Sequence, residues 1–395
     1  MHNYKHRIVF LGKLEKITMR VVRTIAKSIL PPKMYSNLVK RWHKRIIALA
    51  ERDLKGYLNT SRVDPVLKKM MLSYENSQQE DMPSNYWIML NRKNTAQLVE
   101  TGFENFKQTI ALNYFTTLLD KNHPQVKFLK KNLSPSTVIL AEEKSKSCKR
   151  HPFFTPKQSK FYNFVTFMIW KYVQQQVDKD ILDRLEEPLI GNPPAVKLNG
   201  KWISQDLANS ALEFKSISSG VDDFQDIKTI LELGAGYGRT AYVILRLNSH
   251  IRYIIADIPP ALYISQRYLS EVFPDKKIFT FRDFDNFSDV KNEFYNSQII
   301  FLTPNQLKKL PDKTVDLFIA IDCLHEMRPE QIEFYFKTVD RLAKRFYFTC
   351  YKKVHLPYED ITLEEKDYII PPHWKEVFRR TRKIQTGYFE AFFSL

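Results

Sequence analysis

Thr229-Ile230-Leu231-Glu232-Leu233-Gly234-Ala235-Gly236-Tyr237-Gly238-Arg239 decides the fold of this chain. It opens on an apolar run, Ile230 to Leu233, interrupted only by Glu232. Glycines follow at every second position, and a helical pattern begins at Arg239. The stretch predicts a buried strand, a tight turn and a helix N-terminus. Glycines admit positive φ and let the backbone lie close to a ligand. The helix N-terminus adds unpaired N–H groups and the positive end of a dipole, which suit a carboxylate or phosphate. In the nicotinamide dinucleotide fingerprint another glycine comes three residues after the second. Arg239 stands at that position, so that version fits poorly.

Working outward, a helix is predicted over Thr240–Leu247, then a second apolar run, Arg252-Tyr253-Ile254-Ile255-Ala256-Asp257. Asp257 closes it about 20 residues past the turn, where a doubly wound nucleotide fold places the acid that binds ribose hydroxyls. The pattern Glu-x-Gly-x-Gly-x-Gly resembles motif I of the class I S-adenosylmethionine (SAM) methyltransferases. That resemblance implies SAM as cofactor, with the Gly234 and Gly236 backbone beneath its methionine moiety and Gly238 also in the cofactor site. Glu232 is then expected at the ammonium, directly or through water, or else in a salt bridge. Arg239 meets the carboxylate or faces solvent, and Tyr237 stacks on the cofactor or packs on the sheet.

The 395 residues suggest about two domains with ample core. Three widely spaced cysteines, Cys148, Cys323 and Cys350, form neither a disulfide framework nor a zinc pattern. No metal site is expected, Asp322, His325 and Glu326 being a lower-ranked alternative set of Mg²⁺ ligands that no second carboxylate cluster supports, and a reducing cytoplasmic setting is expected. No stretch reaches the ~20 apolar residues of a membrane span, and no secretion signal is visible. The net charge of +17 favours an anionic partner, nucleic acid or anionic lipid among them. It is concentrated early: residues 1–60 are dominated by lysine and arginine.

Residues 7–30 read as an amphipathic helix stopped by Pro31-Pro32. Lys13, Lys16, Arg20, Arg23 and Lys27 share one face, with Phe10, Leu14, Ile17, Val21 and Ile25 on the broad opposite side. This pattern suits peripheral contact with an anionic membrane, or packing on the following helices. A second basic helix is predicted over 33–58, and a periodic one over Leu98–Leu119. The polar stretch Glu142–Arg150 reads as a loop. Phe161–Val177 reads as an aromatic helical brace, and Ser204–Ile217 as a helix capped by Ser204 or Asp206. From Thr229 strand and helix alternate, which predicts a mostly parallel sheet. Its later strands are expected at Gln298–Thr303, Val315–Asp322 and Arg345–Tyr351, with an irregular insertion over 276–297. A terminal hairpin, Val377–Ile384 and Tyr388–Leu395, is the usual finish of SAM methyltransferases. The expected organisation is a basic, mainly helical region over 1–150, a brace and lid over 151–228 and the methyltransferase domain over 229–395. The fold class is α/β: a Rossmann-like seven-stranded sheet with an antiparallel C-terminal strand, preceded by helices.

From Leu185 onward the chain resembles a bacterial family of sugar O-methyltransferases. The resemblance is carried by Glu187-Pro188-Leu189-Ile190-Gly191-Asn192-Pro193, by Ser204, Asp206, Ser210 and Glu213, and by the glycine turn. Asp257-Ile258-Pro259, Phe301–Leu307 and Leu324-His325-Glu326-Met327 complete it. It implies methyl transfer to a sugar hydroxyl of a surface glycan or its nucleotide- or lipid-linked precursor, at the inner face of the membrane. The acid usual after the third strand is replaced by Thr303-Pro304-Asn305-Gln306, so the Asn305 or Gln306 amide is expected to pair with adenine. Gly191-Asn192-Pro193 forms a lid or a structural turn. A hydroxyl acceptor needs a base, expected in the loop after the fourth strand. His325 has a suitable unperturbed pKa, with Asp322 or Glu326 to orient its ring. The rival class, an RNA or DNA methyltransferase using the basic N-terminal region, rests on the charge. It lacks an Asn-Pro-Pro-aromatic motif at strand four, and Cys323 is its only candidate nucleophile.

Overall fold

The computed structural model describes residues 31–75, 77–78, 81–110, 122–356 and 358–395. The helix expected over 7–30, and the part of Leu98–Leu119 beyond residue 110, lie outside them. The chain divides into two compact units, Met1–Asp53 and Leu54–Leu395. The described part of the first is the beginning of helix α1 (Pro32–Leu58), whose proline sits at the helix start. No helix among the described residues is long and apolar enough to cross a membrane.

The second unit begins with helices α2 (Pro65–Glu75), α3 (Asn85–Thr101), α4 (Pro124–Asn132), α5 (Pro135–Lys146), α6 (Pro156–Gln176) and α7 (Gln205–Ser218). Their starts are encoded locally. Ser134 caps α5, Thr155 and Gln158 form a capping box on α6, and Ser204 accepts the Leu207 N–H on α7. The polar stretch expected as a loop is instead helical as far as Lys146. Glu and Lys are good helix formers, and Ala141 and Ser145 are buried along a helix that packs on α6. Charge there marks a solvated face rather than a break. The aromatic brace is α6 itself, with Phe164, Phe167, Met168, Ile169 and Tyr172 buried.

A small hairpin, β1 (Val196–Leu198) and β2 (Lys201–Ile203), precedes α7. The sheet is built from β3 (Thr229–Leu233), β4 (Arg252–Ala256), β5 (Ile278–Phe279), β6 (Ile299–Leu302), β7 (Leu317–Ile321) and β8 (Arg345–Tyr351). After a second hairpin, β9 (Lys353–Leu356) and β10 (Ile361–Glu364), come β11 (Lys375–Thr381) and β12 (Tyr388–Ser394). The strand order is β11-β12-β8-β7-β3-β4-β6-β5. All pairs are parallel except those of β12, which runs antiparallel to both β8 and β11. The strand beyond the seven expected is the two-residue β5, which pairs at the sheet edge within the segment read as irregular. The β9–β10 hairpin carries no turn signal that the sequence reading used.

Both faces of the sheet are covered. Ile230, Tyr253, Ile255, Leu317, Ile319 and Tyr347 pack into one core with α6, α7, α8 (Arg239–Leu247) and α9 (Ala261–Val272). Leu231, Leu233, Ile254, Phe318, Phe346 and Phe348 pack into the other, with Ile332, Tyr335, Phe336 and Val339 of α10 (Pro329–Leu342). Burial on both faces explains the near-continuous apolar runs of the central strands.

A buried ion pair joins the helical region to the turn after β3. Lys107 Nζ donates to Glu187 Oε1, to the Pro188 carbonyl at 3.2 Å and to the Tyr268 hydroxyl at 3.3 Å. Ser204 Oγ donates to the other Glu187 oxygen at 2.6 Å. The ammonium lies 4.4 Å from the Tyr268 ring centroid and 5.2 Å from that of Tyr237. Both side chains are all but inaccessible, at 2% and 3%. Lys107→Met should therefore leave Glu187 uncompensated and cost about 3–5 kcal/mol in urea unfolding. The double variant Lys107→Met/Glu187→Leu should recover most of that loss.

Candidate cofactor and acceptor site

The glycine turn leaves the C-terminal end of β3 with Gly234, Gly236 and Gly238 at φ of 71°, 61° and 86°. The three are not equivalent. A Cβ on Gly234 would lie 2.5 Å from the Cβ of Cys323, and one on Gly238 2.9 Å from Leu269. A Cβ on Gly236 would meet nothing within 4 Å. Gly234 and Gly238 are thus fixed by the protein's own packing, while Gly236 faces open space at the mouth of the turn.

Asp257 follows β4 and lies against that mouth. Its Oδ2 accepts the Gly236 N–H and its Oδ1 the Ile258 N–H, each at 2.7 Å. Burial raises its carboxyl to about 7, against the opposing pull of those two N–H groups. The two amides after β6 separate in role. Gln306 is consumed internally: its Oε1 accepts from Thr303 N at 3.0 Å, and its Nε2 donates to the Arg282 carbonyl at 2.9 Å. Asn305 Oδ1 is buried without a hydrogen-bond partner. Of the pair expected to meet a base, Asn305 alone has an unspent polar atom.

Behind the turn the expectations for Glu232, Tyr237 and Arg239 change. Glu232 is buried and accepts the Tyr253 hydroxyl at 2.8 Å. Burial pushes its carboxyl up to about 8 despite that bond. The Tyr237 hydroxyl donates to Asp206 at 2.7 Å, and its ring packs edge-on to Phe106 and Tyr268. Arg239 is buried too: it donates to Ser210 Oγ at 2.8 Å and engages both oxygens of Glu213. Glu213 also accepts from Thr240 Oγ1 and from Arg382 Nη2. Arg239 is buried rather than solvent-facing, and the Glu213 carboxylate engages both arms of its guanidinium. Glu187, Asp206, Ser210 and Glu213 thereby form polar links from α7 and its approach to the turn, while Gly191-Asn192-Pro193 is tied down. The Gly191 carbonyl accepts the Lys107 N–H at 2.9 Å, and Asn192 Nδ2 donates to Asn105 at 2.9 Å. It is a fixed turn.

The loop after β7 carries Asp322, His325 and Glu326. Asp322 adopts φ 57° and both its oxygens lie 2.9 Å from Arg382 Nη1. Thr349 Oγ1 donates to it as well. Burial would raise its carboxyl, but Arg382 and His325 outweigh burial and hold it below the ordinary range. His325 is buried, and burial lowers its imidazole to about 4. Its Nδ1 has no hydrogen-bond partner. Its ring stands edge-on to Tyr351, with centroids 4.6 Å apart. The acid–histidine pair expected from sequence is not formed: Arg382 takes Asp322, and Trp87 Nε1 donates to Glu326 Oε2 at 2.9 Å. Burial pushes Glu326 up to about 8.

Trp87 belongs to a covering segment that sequence reasoning missed. Residues 81–87, ending in the first turn of α3, cross the loops at the C-terminal ends of the strands. Lys308 Nζ reaches Asp81 at 2.7 Å, Gln331 Nε2 donates to the Met82 carbonyl at 2.8 Å, and Asn85 N–H donates to Glu359 at 2.6 Å. The half-buried Tyr86 and Trp87 and the ring of Tyr351 line Glu326, with Tyr358 beside Tyr86 and Tyr388 packed on Tyr351 and His325. No local pattern announces this, since the partners lie more than 200 residues apart. The only hint was Tyr86-Trp87 at a helix start.

No protein-family model and no curated protein matches the chain. Solved structures do. A SAM-dependent methyltransferase from Aquifex aeolicus is 13% identical, covering 56% of this chain and 96% of its own, with a TM-score of 0.32. Magnesium protoporphyrin IX methyltransferase from Synechocystis, solved with bound SAH, is 12% identical over 57% of this chain and 99% of its own, with a TM-score of 0.33. Geranyl diphosphate C-methyltransferase from Streptomyces coelicolor, in complex with Mg²⁺, geranyl diphosphate and S-adenosyl-L-homocysteine, gives 10%, 47%, 80% and 0.34. Likenesses at this level carry no argument; the sheet does. Its parallel strands run outward in both directions from β3, the glycine turn follows β3, and antiparallel β12 is inserted beside β8. The fold is that of the class I SAM-dependent methyltransferases. In a methyltransferase fold ligands lie in the crevice at the strands' C-terminal ends, where the strand order reverses. Asp257, Asn305, Asp322, His325 and Glu326 all sit there. Cys323 sits there too, but its thiol is buried, donates to the Leu233 carbonyl at 3.2 Å and is pushed up by burial. It is not an activated nucleophile.

Two outcomes follow from these contacts. Gly234→Ala should lower the melting temperature sharply, because its Cβ collides with Cys323. Gly236→Ala should cost only the positive-φ penalty of about 1–2 kcal/mol while abolishing ligand binding in calorimetry. The second concerns Glu232, which faces Tyr253, Arg239, Glu213 and Asp257. Its carboxyl is raised from 4.5 to about 8 on folding, so the folded chain keeps a proton that the unfolded chain has lost. The stabilising contribution is complete below pH ~4.5 and is lost as pH rises through ~8. Urea unfolding of Glu232→Gln should show its stability relative to wild type rising between pH 5 and pH 8.5.

Proposed function

We propose that this chain is a SAM-dependent O-methyltransferase whose acceptor is a sugar hydroxyl. The observation that carries the reading is one crevice holding two parts. On one side lies a glycine turn open above Gly236, with Asp257 bonded to it; on the other, an acidic and aromatic basin. The first part fits the cofactor. Asp257 holds the ribose diol, the unpartnered Asn305 Oδ1 accepts from the adenine amine, and the α8 N-terminus favours the carboxylate. Glu232 is placed behind the turn, reaching the ammonium only through water. When bound, SAM supplies a methyl group already activated for displacement, so the protein's task is alignment and proton removal.

The basin argues for the acceptor class. Asp257, Asp322 and Glu326 are the carboxylates there, and Tyr86, Trp87, Tyr351 and Tyr388 are its rings. Flat apolar rings beside hydrogen-bonding carboxylates suit the C–H faces and hydroxyls of a neutral sugar. They suit a nucleic-acid backbone less well, because Arg382 beside them is already paired with Asp322 and Glu213 and is not available to a phosphate. The net charge of +17 is what favours a nucleic-acid acceptor. A peripheral membrane contact through 7–30 would place the enzyme beside lipid-linked sugars.

The test uses SAM carrying a labelled methyl group, offered with neutral methyl glycosides, with nucleotide-linked sugars and with total RNA. Label should enter a sugar fraction and not RNA; label in RNA alone would overturn the acceptor assignment. Asp257→Ala removes charge-assisted hydrogen bonds worth roughly 1.5–3 kcal/mol each. SAM affinity measured by calorimetry should therefore fall at least ~10-fold.

A further inference from the structure

The three titratable groups of the loop after β7 are not interchangeable. Asp322 is saturated: Arg382 and Thr349 occupy its oxygens, and it stays ionised. It supplies a fixed negative charge. His325 is wedged beneath Tyr351 and Tyr388 without a partner for Nδ1, and its burial outweighs the favourable pull of Asp322, whose oxygens are held by Arg382 and Thr349. Protonating it would place an under-compensated charge in a buried site. Glu326 differs from both. Its Oε2 is fixed by the Trp87 indole, its Oε1 makes no hydrogen bond within the described protein, and the residue is half-buried rather than sealed.

On the methyltransferase reading, on which this inference rests, we propose that Glu326 Oε1 takes the proton of the acceptor hydroxyl, and that Trp87 is the positioning residue that aims it. The acceptor O–H bond breaks and its proton passes to Oε1. The oxygen's electron pair forms the new C–O bond, and the donor's C–S pair stays on sulfur, leaving a neutral thioether. Charge balances, because the sulfonium's positive charge disappears as the carboxylate's negative charge does. The acid then gives its proton to water.

The environments of the two carboxylates support this division. Neighbouring groups that drive one carboxyl down and the other up mark a fixed charge and an exchangeable proton site. Glu326 is faced by Trp87 and Tyr86 from α3, by Asp257 after β4, by Asp322 and Cys323 of its own loop, and by Cys350 and Tyr351 of β8. No lysine or arginine is among them, and burial sets its carboxyl at about 8. An approaching sulfonium supplies the missing positive charge and readies the carboxylate when the methyl donor is in place.

The test is calorimetry of SAM and of S-adenosylhomocysteine binding at pH 7, in two buffers of different ionisation enthalpy. Wild type should release roughly half a proton or more in excess with SAM over the uncharged homologue. Glu326→Gln should bind SAM within ~3-fold of wild type yet lose that excess, while His325→Gln keeps it. In the labelled-methyl assay Glu326→Gln should fall about 10²–10⁴-fold in turnover. Trp87→Phe should lower turnover with KM little changed. Unaltered proton release in Glu326→Gln, or its loss in His325→Gln instead, overturns the assignment. Failure of wild type to bind SAM overturns the methyltransferase reading itself, and this assignment with it.

Discussion

Glu213 is the point on which the site's geometry hangs. From α7 it accepts both arms of Arg239 at the start of α8, the Thr240 hydroxyl and the guanidinium of Arg382. Arg382 in turn grips Asp322 at the end of β7. One buried carboxylate therefore ties the helix after the glycine turn to the loop after β7. Two guanidinium groups against two carboxylates leave the ladder neutral, and each charge is met by directional hydrogen bonds. That is the condition under which buried ions can be kept at all. It also accounts for the left-handed backbone at Asp322, a conformation that persists where the surroundings over-determine it.

The sheet and its ligand edge were legible because they rest on short-range rules. Apolar runs gave β3, β4 and β7, the alternating glycines gave the turn, and Asp257 came from its distance along the chain. The terminal hairpin was read within three residues of β11 and within one of β12. Other roles depended on partners that no local window contains. Arg239 looks from sequence like an anion ligand at a helix start; only Glu213, 26 positions earlier, shows why it turns away. Gln306 and Asn305 are adjacent and chemically alike, and a capping interaction on Thr303 alone separates them. His325 looks like a base by its unperturbed pKa, but burial among the rings disfavours an imidazolium by more than nearby Asp322 restores.

The residues that carried the family resemblance show a related lesson. Glu187, Asp206, Ser210 and Glu213 invite reading as site residues because they are polar and near a motif. They bond instead to Lys107, Tyr237, Arg239 and Arg382, side chains that hold the turn and the loop after β7 in place. A motif can persist because it builds the wall behind a site. The wall in front comes from 81–87 and from β8, β9 and β12, whose aromatic residues look like ordinary core in sequence.

The placement of β12 bears on how the chain is made. It occupies an interior position of the sheet, between β8 and β11, although 387 residues precede it. Until residues 388–394 emerge during synthesis, β8 presents an open edge rich in phenylalanine and tyrosine, with unpaired backbone groups along it. Such an edge is a template for pairing with other chains. Arg382 also arrives late, so Glu213 and Asp322 stay without their shared counter-ion while everything before them is already assembled. The protein's hazard in the cell therefore lies in the interval before β12 emerges, when a nearly finished sheet waits, sticky and charge-frustrated, for its inner strand.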